Sequence, residues 1–139
     1  MSAPVRERVL QAILTATGGV WGVDGPEDER DVPLTVVHDE SDSGGVTAYG
    51  VTSLTMPLTL VRFEVAASQD RNAQRAQAHL AMASLVAAMY VDSTFGGLVS
   101  GVDYLGGSVA VGGQLVQATC SFRIGYRHAR GDATLIPGV

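Results

Sequence analysis

The chain has 139 residues and a formal net charge of −5, with 46% hydrophobic and 17% charged residues. This length predicts a single domain that buries roughly two-thirds of its unfolded surface. The acidic balance and the lack of a basic stripe argue against a tightly held nucleic acid. The low charged fraction favours a protein that hides part of its surface in an assembly.

The cysteine count and the N-terminal sequence give no indication of export. Cys120 is the single cysteine, which excludes an intramolecular disulfide. The first residues lack the layout of a signal peptide, and no apolar run approaches the ~20 residues that span a bilayer. We therefore expect the protein to act where it is synthesised, or in the particle that it joins.

The first predicted element is an amphipathic helix after Ser2-Ala3-Pro4, in which Ser2 is a suitable N-cap. Gly18-Gly19 ends it, because the residue after a helix often needs a positive φ. The acidic segment from Val20 to Val32 contains Asp24 to Asp31 but lacks the glycine and the terminal glutamate of a calcium loop. We interpret it as a solvated surface loop.

Strand-like segments follow the acidic loop. Pro33 to His38 predicts a short strand, Asp39 to Gly45 a turn or mobile loop, and Val46 to Thr55 a strand despite Gly50. Alternation in the next run, Thr55 to Val65, predicts one set of side chains toward the helices and one toward solvent. The inward set is Thr59, Val61, Phe63 and Val65, and the outward set includes Arg62 and Glu64.

The strongest prediction is a long alanine-rich helix that ends at Tyr90 and has Ser68 or Asp70 as its N-cap. Its apolar residues form two stripes at an angle to each other. The first stripe is Ala73, Ala76, Leu80, Ala83, Ala87 and Tyr90; the second is Ala78, Met82, Leu85, Val86 and Met89. A helix that is apolar on more than one side is buried on more than one side. We expect a second helix or a neighbouring subunit to cover the side that the sheet leaves free.

The segment from Asp92 to Leu98 predicts a rigid turn after this helix, here called the elbow. It consists of Asp92, Ser93, Thr94, Phe95, Gly96, Gly97 and Leu98. The Asp92 carboxylate is expected to accept turn amides from Thr94 or beyond, and Phe95 and Leu98 are expected to pack onto the helix end.

Two further strands, Val102 to Val111 and Gln114 to Tyr126, flank Gly112-Gly113, which is typical of a hairpin with a two-residue turn. The second strand alternates, so one face of it is expected to be buried. The inward set is Val116, Ala118, Cys120, Phe122, Ile124 and Tyr126.

This order of elements predicts an α+β fold with two helices packed on one face of a mostly antiparallel sheet. Residues 1–127 would form the domain. The segment from His128 to Val139 has no periodicity, and we expect a flexible C-terminal arm there.

No pattern indicates a catalytic, cofactor or metal site, so we expect a protein that is not an enzyme. The three histidines, which are His38, His79 and His128, have no metal-ligand spacing. His38-Asp39-Glu40 could bind a cation, but a solvated strand end is the favoured interpretation. Cys120 is expected to be an inert core thiol. Gly96-Gly97 and Gly106-Gly107 do not match a phosphate-binding fingerprint, and no serine lies in a nucleophile elbow.

Several segments recur in a recognisable order along most of the chain. They are Val5-Arg6-Glu7-Arg8, Pro33-Leu34-Thr35-Val36 after the acidic loop, Arg62-Phe63-Glu64-Val65, the elbow, and the closing Tyr126-Arg127. Together they resemble the tail terminator (tail completion) proteins of long-tailed bacteriophages, the minor tail protein U family. The elbow is similar to that family's Asp-x-Thr-Leu-Gly-Gly turn, with Phe95 in place of leucine.

The resemblance implies a structural virion protein, assembled in the host cytoplasm, that forms a ring, usually hexameric, on the end of the tail tube. The ring would stop tube polymerisation, present a docking face for the head-side connector, and let DNA pass without specific binding. We expect interface contacts on the loops Asp24–Asp31 and Asp39–Gly45 and on the C-terminal arm. The candidate interface residues are Arg71, Arg75, Asp39, Glu40, Asp42, Arg127 and Arg130.

Two other interpretations remain open. One is another ring component of the same particle, such as a head–tail connector or neck protein, which only the bound partner would distinguish. The other is a small oligomeric α+β enzyme or ligand-binding domain, which would need a polar pocket that the sequence does not indicate.

Overall fold

A computed structural model describes residues 3–137, apart from the side chains of Glu29 and Val46. In chain order it contains α1 (Val5–Thr17), β1 (Val20–Trp21), a short 3-10 helix (Glu29–Asp31), β2 (Leu34–Asp39), β3 (Ser43–Ala48), β4 (Val51–Val65), α2 (Arg71–Tyr90), β5 (Val99–Ala110) and β6 (Leu115–Ala129).

The strands form one six-stranded sheet of order β1-β2-β4-β6-β5, with β3 also paired to β4. β1 and β2 are parallel, and the other pairings are antiparallel. β4 pairs with β6 along its whole length, from Val51 opposite Ala129 to Val65 opposite Leu115. The expected α+β class with a mostly antiparallel sheet is therefore confirmed.

Residues from both helices and from the sheet share one hydrophobic cluster. The helices contribute Val5, Val9, Leu10, Ile13, Leu85 and Met89, and the strands contribute Val37, Met56, Leu58, Leu60, Val99, Val102, Cys120, Phe122, Ile124 and Tyr126. All six residues expected to face inward on β6 are buried. Strict alternation over a long central strand made that face predictable, because successive side chains point to opposite sides of a sheet.

The inward face predicted for β4 is wrong. Met56, Leu58 and Leu60 are the buried residues of this strand. The predicted inward set, Thr59, Val61, Phe63 and Val65, has the opposite parity and lies on the other face. Both faces of β4 carry apolar residues, and a period of two does not show which face meets the core.

The charged residues Arg62 and Glu64 consequently lie on the same face as the core, at the end of the strand. Arg62 Nη1 donates to the buried hydroxyl of Thr35 over 3.0 Å, and Glu64 Oε1 accepts from Gln77 Nε2 over 3.1 Å. These bonds supply polar partners at the margin of the core, where an unpaired charge would be unfavourable.

The helix ends follow local signals. α1 ends at Gly18, which has a left-handed φ of 65°, as the sequence predicted. α1 begins after Pro4, and the expected cap Ser2 lies outside the described residues. Of the two caps considered for α2, the structure uses Asp70, whose side chain accepts from the Ala73 amide over 3.3 Å.

Two predicted segments are divided differently in the structure. The acidic loop contains the short strand β1, and the expected strand from Val46 to Thr55 is broken by the turn Tyr49-Gly50 between β3 and β4. Both turn residues have positive φ, 52° and 75°, which matches a two-residue hairpin turn. A non-glycine residue at positive φ gives little sequence signal.

The C-terminal boundary also differs from the prediction at residue 127. β6 continues to Ala129, and the following residues return toward α1. The Val5 amide donates to the Ala133 carbonyl over 2.8 Å, the Arg8 guanidinium bonds the Thr134 carbonyl, and Ile136 packs against the core. This part of the predicted arm therefore contacts the domain.

Candidate interface surfaces

The first apolar stripe of α2 lies on the surface. Its six residues, Ala73, Ala76, Leu80, Ala83, Ala87 and Tyr90, are all exposed, and Leu80 is 71% exposed. The second predicted stripe is the one that contacts the core, through Ala78, Leu85 and Met89. We call the exposed set the outer stripe. No described residue of this chain covers it, so it is exposed in the single chain.

A groove of about 390 Å³ lies between the two helices at the C-terminal end of α2. Ala12 and Ala16 of α1 line one side, and Ala88, Val91 and Phe95 line the other. Val91 is 87% exposed. The apolar surface of α2 therefore extends past the end of the helix into this groove.

Arg71 and Arg75 are exposed on the first turns of α2. Neither forms an ion pair with a described carboxylate, and α2 itself contains no acidic residue. Two cations therefore lie at one end of the outer stripe, available to a partner.

Asp39 and Asp42, two predicted interface residues, form ion pairs within the chain. The Arg6 guanidinium pairs with Asp39 Oδ2 over 2.6 Å, pairs also with Asp42, and donates to the Glu40 carbonyl over 2.7 Å. These bonds link α1 to the segment between β2 and β3. Glu40 participates through its main chain, so its carboxylate is left for other contacts.

Tyr126 joins the same network from β6. Its hydroxyl donates to Asp42 Oδ2 over 2.5 Å, and its side chain is 2% exposed. Burial, with the adjacent Asp42 carboxylate, raises the pKa of Tyr126 to about 12 from the ordinary value of 10.0. Charge on this phenol is thus disfavoured in the folded protein.

This pKa shift makes stability depend on alkaline pH. Between pH 10.0 and about 12 the unfolded chain loses the Tyr126 proton while the folded chain keeps it. The stabilisation is present below pH 10 and is lost as pH rises through this window, by up to about 2–3 kcal/mol. Urea unfolding of the wild type and of Tyr126→Phe from pH 8 to 12 measures how the free energy of unfolding declines with pH. The variant should show the weaker decline, and equal declines for the two proteins would contradict the assignment; exposed Tyr49→Phe is the control.

The short edge strand β1 exposes a tryptophan that the sequence analysis had left within an acidic loop. Trp21 is 57% exposed, and Val20 and Val23 beside it are also exposed. Trp21 Nε1 donates to Asp39 Oδ1 over 2.6 Å, so the indole is held while its ring faces outward. Val20 and Trp21 are consecutive in β1 and pair with Val36 and Val37, so their side chains point to opposite faces of the sheet. A tryptophan within a run of acidic residues was the sequence signal that could have identified Trp21 as an exposed residue.

The acidic loop after β1 is partly structured by its own side chains. Asp28 pairs with Arg30 over 2.9 Å, and Asp31 Oδ2 accepts the amides of Glu27 and Asp28. Asp24 and Glu27 are exposed. Their side chains make no hydrogen bond with the described residues, so they remain available to a partner.

The structure separates the predicted arginines into two groups. Arg127 and Arg130 are exposed at the C-terminal end of β6. The start of α2 lies at the other end of β6, where Gln74 contacts the turn at Gly113. The predicted interface residues consequently do not form one site.

The elbow has the hydrogen bonds that the sequence predicted. Asp92 accepts from the Thr94 amide over 3.1 Å and from the Gly96 amide over 2.8 Å, and these bonds lower the pKa of the Asp92 carboxyl. Phe95, Gly96 and Gly97 all have positive φ. Phe95 and Leu98 pack against the core, which makes the elbow a fixed turn at the end of the outer stripe.

Cys120 is buried, and burial raises the pKa of its thiol. Within residues 3–137, no group of three or more His, Cys, Asp or Glu side chains is placed to hold a metal ion. None of the helices in that range is both long and apolar enough to traverse a bilayer. In comparisons with known proteins, no family model matches the chain and no curated protein sequence matches it.

Proposed function

We propose that this protein is a structural virion component of the tail terminator type. Copies of it would form a ring, hexameric by the resemblance, that caps the tail tube, ends its polymerisation and provides the docking face for the head-side connector. The observation that supports this best is the outer stripe. A helix whose apolar side is uncovered in the single chain is typical of a subunit that buries that side against another molecule.

The arrangement of the helices supports the same proposal. We infer that α1 and α2 cover the same face of the sheet, because the buried residues of both share one cluster with Met56, Leu58 and Leu60. In that arrangement the outer stripe points away from the sheet, since it lies on the side of α2 opposite the core residues. A neighbouring subunit can therefore reach it without unfolding any part of the chain.

The mechanism is geometric. The ring would offer tube-like contacts on just one of its two sides. The end of the tube can bind to that side, and the other side has no surface to which the next tube subunit could add. The fixed elbow and the docked C-terminal segment hold the ends of both helices, which favours a preformed subunit shape. The acidic net charge of −5 suits a channel through which DNA slides without being retained.

The outer stripe provides the test. Leu80→Glu combined with Ala83→Glu places two charges on exposed positions, so folding is expected to be retained while assembly is lost. The readouts are sedimentation and negative-stain imaging of the protein alone, and the length of tail tubes grown in its presence. Val65→Glu, an exposed residue on the opposite face of the sheet, is the matched control.

Wild-type protein should stop tube growth, and the double variant should not. Tubes of unchanged length with the wild type would overturn the proposal. Rings that form but do not bind tube ends would instead indicate a connector or neck component of the same particle.

A further inference from the structure

The outer stripe has the spacing of a seam that packs against another helix. Its six residues, from Ala73 to Tyr90, are separated by three, four, three, four and three positions in turn. This alternation is the seven-residue repeat of a coiled-coil seam, which accepts a second helix at a crossing angle of about 20°. α1 lies beside α2 and leaves all six residues exposed. A helix that packs on this seam therefore belongs to another molecule.

The stripe is complementary in size to a second copy of itself in one orientation. We consider two copies of α2 that lie antiparallel, with the two-fold axis beside Ala81 and Met82. The pairs that then face each other between the copies are Leu80 with Ala83, Ala76 with Ala87, and Tyr90 with Ala73. Each large side chain of the stripe meets an alanine, which lets the two helices pack closely. In a parallel pair the leucines would meet each other, as would the tyrosines, and gaps would remain at the alanines.

The charges near the stripe favour the same orientation. No residue of the stripe is charged, so two stripes can meet without burying an unpaired charge. Arg71 and Arg75 lie in the first turns of α2, the last turn has no basic residue, and Asp92 follows it. Antiparallel packing lays the basic end of each helix beside the C-terminal end of the other. Parallel packing would bring all four arginines together, which is unfavourable.

We propose that two copies of the free protein form a two-fold dimer in which the outer stripes pack antiparallel on each other. This inference goes beyond the proposed function, because an isologous contact closes at two copies and does not continue around a ring. The dimer is a separate state in which the stripe is covered before assembly. Its exchange for a ring contact at the tube end rests on the proposed function, whereas the dimer itself does not.

The size of the contact indicates how strong the dimer is. Tyr90 is fixed before binding, since its hydroxyl donates to the Val102 carbonyl over 2.9 Å, and it loses little conformational freedom on docking. A contact along one face of a 20-residue helix, about 30 Å long, buries roughly 800–1,000 Å² in total. This area is near the lower limit for a specific interface, so we expect a weak dimer that forms at high protein concentration.

Cysteine cross-linking tests the orientation and the register. Ala76→Cys and Ala87→Cys change exposed alanines, and the native Cys120 is buried. In the proposed dimer positions 76 and 87 of the two copies face each other, whereas like positions are about 16 Å apart along the helices. An equimolar mixture of the two variants should therefore form a disulfide-linked dimer on mild oxidation in air, and neither variant alone should. Ser53→Cys, at an exposed position of β4, mixed with Ala87→Cys is the control and should give no linked dimer.

Moving the leucine along the stripe tests the size pairing without new cysteines. Leu80→Ala is expected to weaken dimerisation roughly tenfold, because the dimer loses two buried leucine side chains. Adding Ala83→Leu should restore it, since position 83 faces position 80 of the second copy. Leu80→Ala with Ala73→Leu has the same composition but places the new leucine opposite Tyr90, and it should not restore dimerisation. Sedimentation measures the association, and circular dichroism establishes that each variant is folded.

Several results would overturn the dimer. They are a cross-link within either cysteine variant alone, no cross-link in the mixture, equal association of the two leucine-moved variants, and a wild type that stays monomeric up to about 1 mM. A cross-link in the mixture only, together with recovery by Ala83→Leu only, would support it. None of these results decides the ring function, which is tested separately by tail-tube length.

Discussion

Gly107→Ala is expected to destabilise the protein by about 3 kcal/mol, at the upper end of the usual range for overpacking. A Cβ at this position would lie 2.5 Å from the main-chain oxygen of Thr119, 2.6 Å from Met82 Sδ and 2.8 Å from the Tyr104 hydroxyl. The methionine and tyrosine side chains can shift. The carbonyl of Thr119 cannot, because it belongs to β6 beside the paired residue Ser108. Urea unfolding measures the difference in free energy.

The same strand offers a matched control for this substitution. Gly101 is also a β5 glycine, but an added Cβ there meets no atom within 4 Å. Gly101→Ala is therefore expected to change stability by less than about 1 kcal/mol. Equal effects at the two glycines would show that loss of backbone flexibility, and not close packing under α2, determines the response.

Gln74→Leu is expected to destabilise the protein by about 2–4 kcal/mol, because it leaves buried polar groups without partners. Gln74 is 2% exposed. Its Nε2 donates to the carbonyls of Ser68 and Gly113 over 2.9 and 3.3 Å, and its Oε1 accepts from the Gly112 amide over 3.0 Å. Leucine keeps the volume but makes none of these bonds.

The loss of stability in Gln74→Leu should be localised at the turn between β5 and β6. Hydrogen exchange of the Gly112 amide is expected to accelerate more than exchange in the centre of β6. Asn72→Ala, at an exposed position on the same helix turn, is the control and should have little effect. A Gln74→Leu protein with unchanged stability and unchanged exchange at Gly112 would contradict this account.

Gln74 also explains why the predicted two-residue turn at Gly112-Gly113 is wrong. β5 ends at Ala110 and β6 begins at Leu115, so the connection is longer than the glycine pair. The turn is fixed by the side chain of a residue far away in sequence, on α2. Turn residues alone predict the commonest hairpin geometry and contain no information about such a bond.

Among the candidate interface and elbow residues, some structural features were also predictable from the local sequence and others were not. Exposure of Arg71 and Arg75 followed from their place on a polar helix turn, and the bonds of Asp92 followed from the local elbow sequence. By contrast, the ion pairs that Asp39 and Asp42 form with Arg6 were not predicted. Trp21 was not selected at all, since its exposure depends on where β1 lies in the sheet.

Features that depend on neighbours along the chain were predictable from the sequence: the extent of α2, the end of α1 at Gly18, the inward face of β6, and the elbow. Spacing, caps and positive-φ residues act within a few positions, so they can be read from the sequence. Long-range packing selects the face of β4 that meets the core, and it brings Gln74 and Arg6 to their hydrogen-bond partners. Those outcomes depend on contacts between residues far apart in sequence. Recognising the outer stripe required both kinds of information. The sequence predicted that the stripe is apolar, and the fold shows that the chain leaves it uncovered.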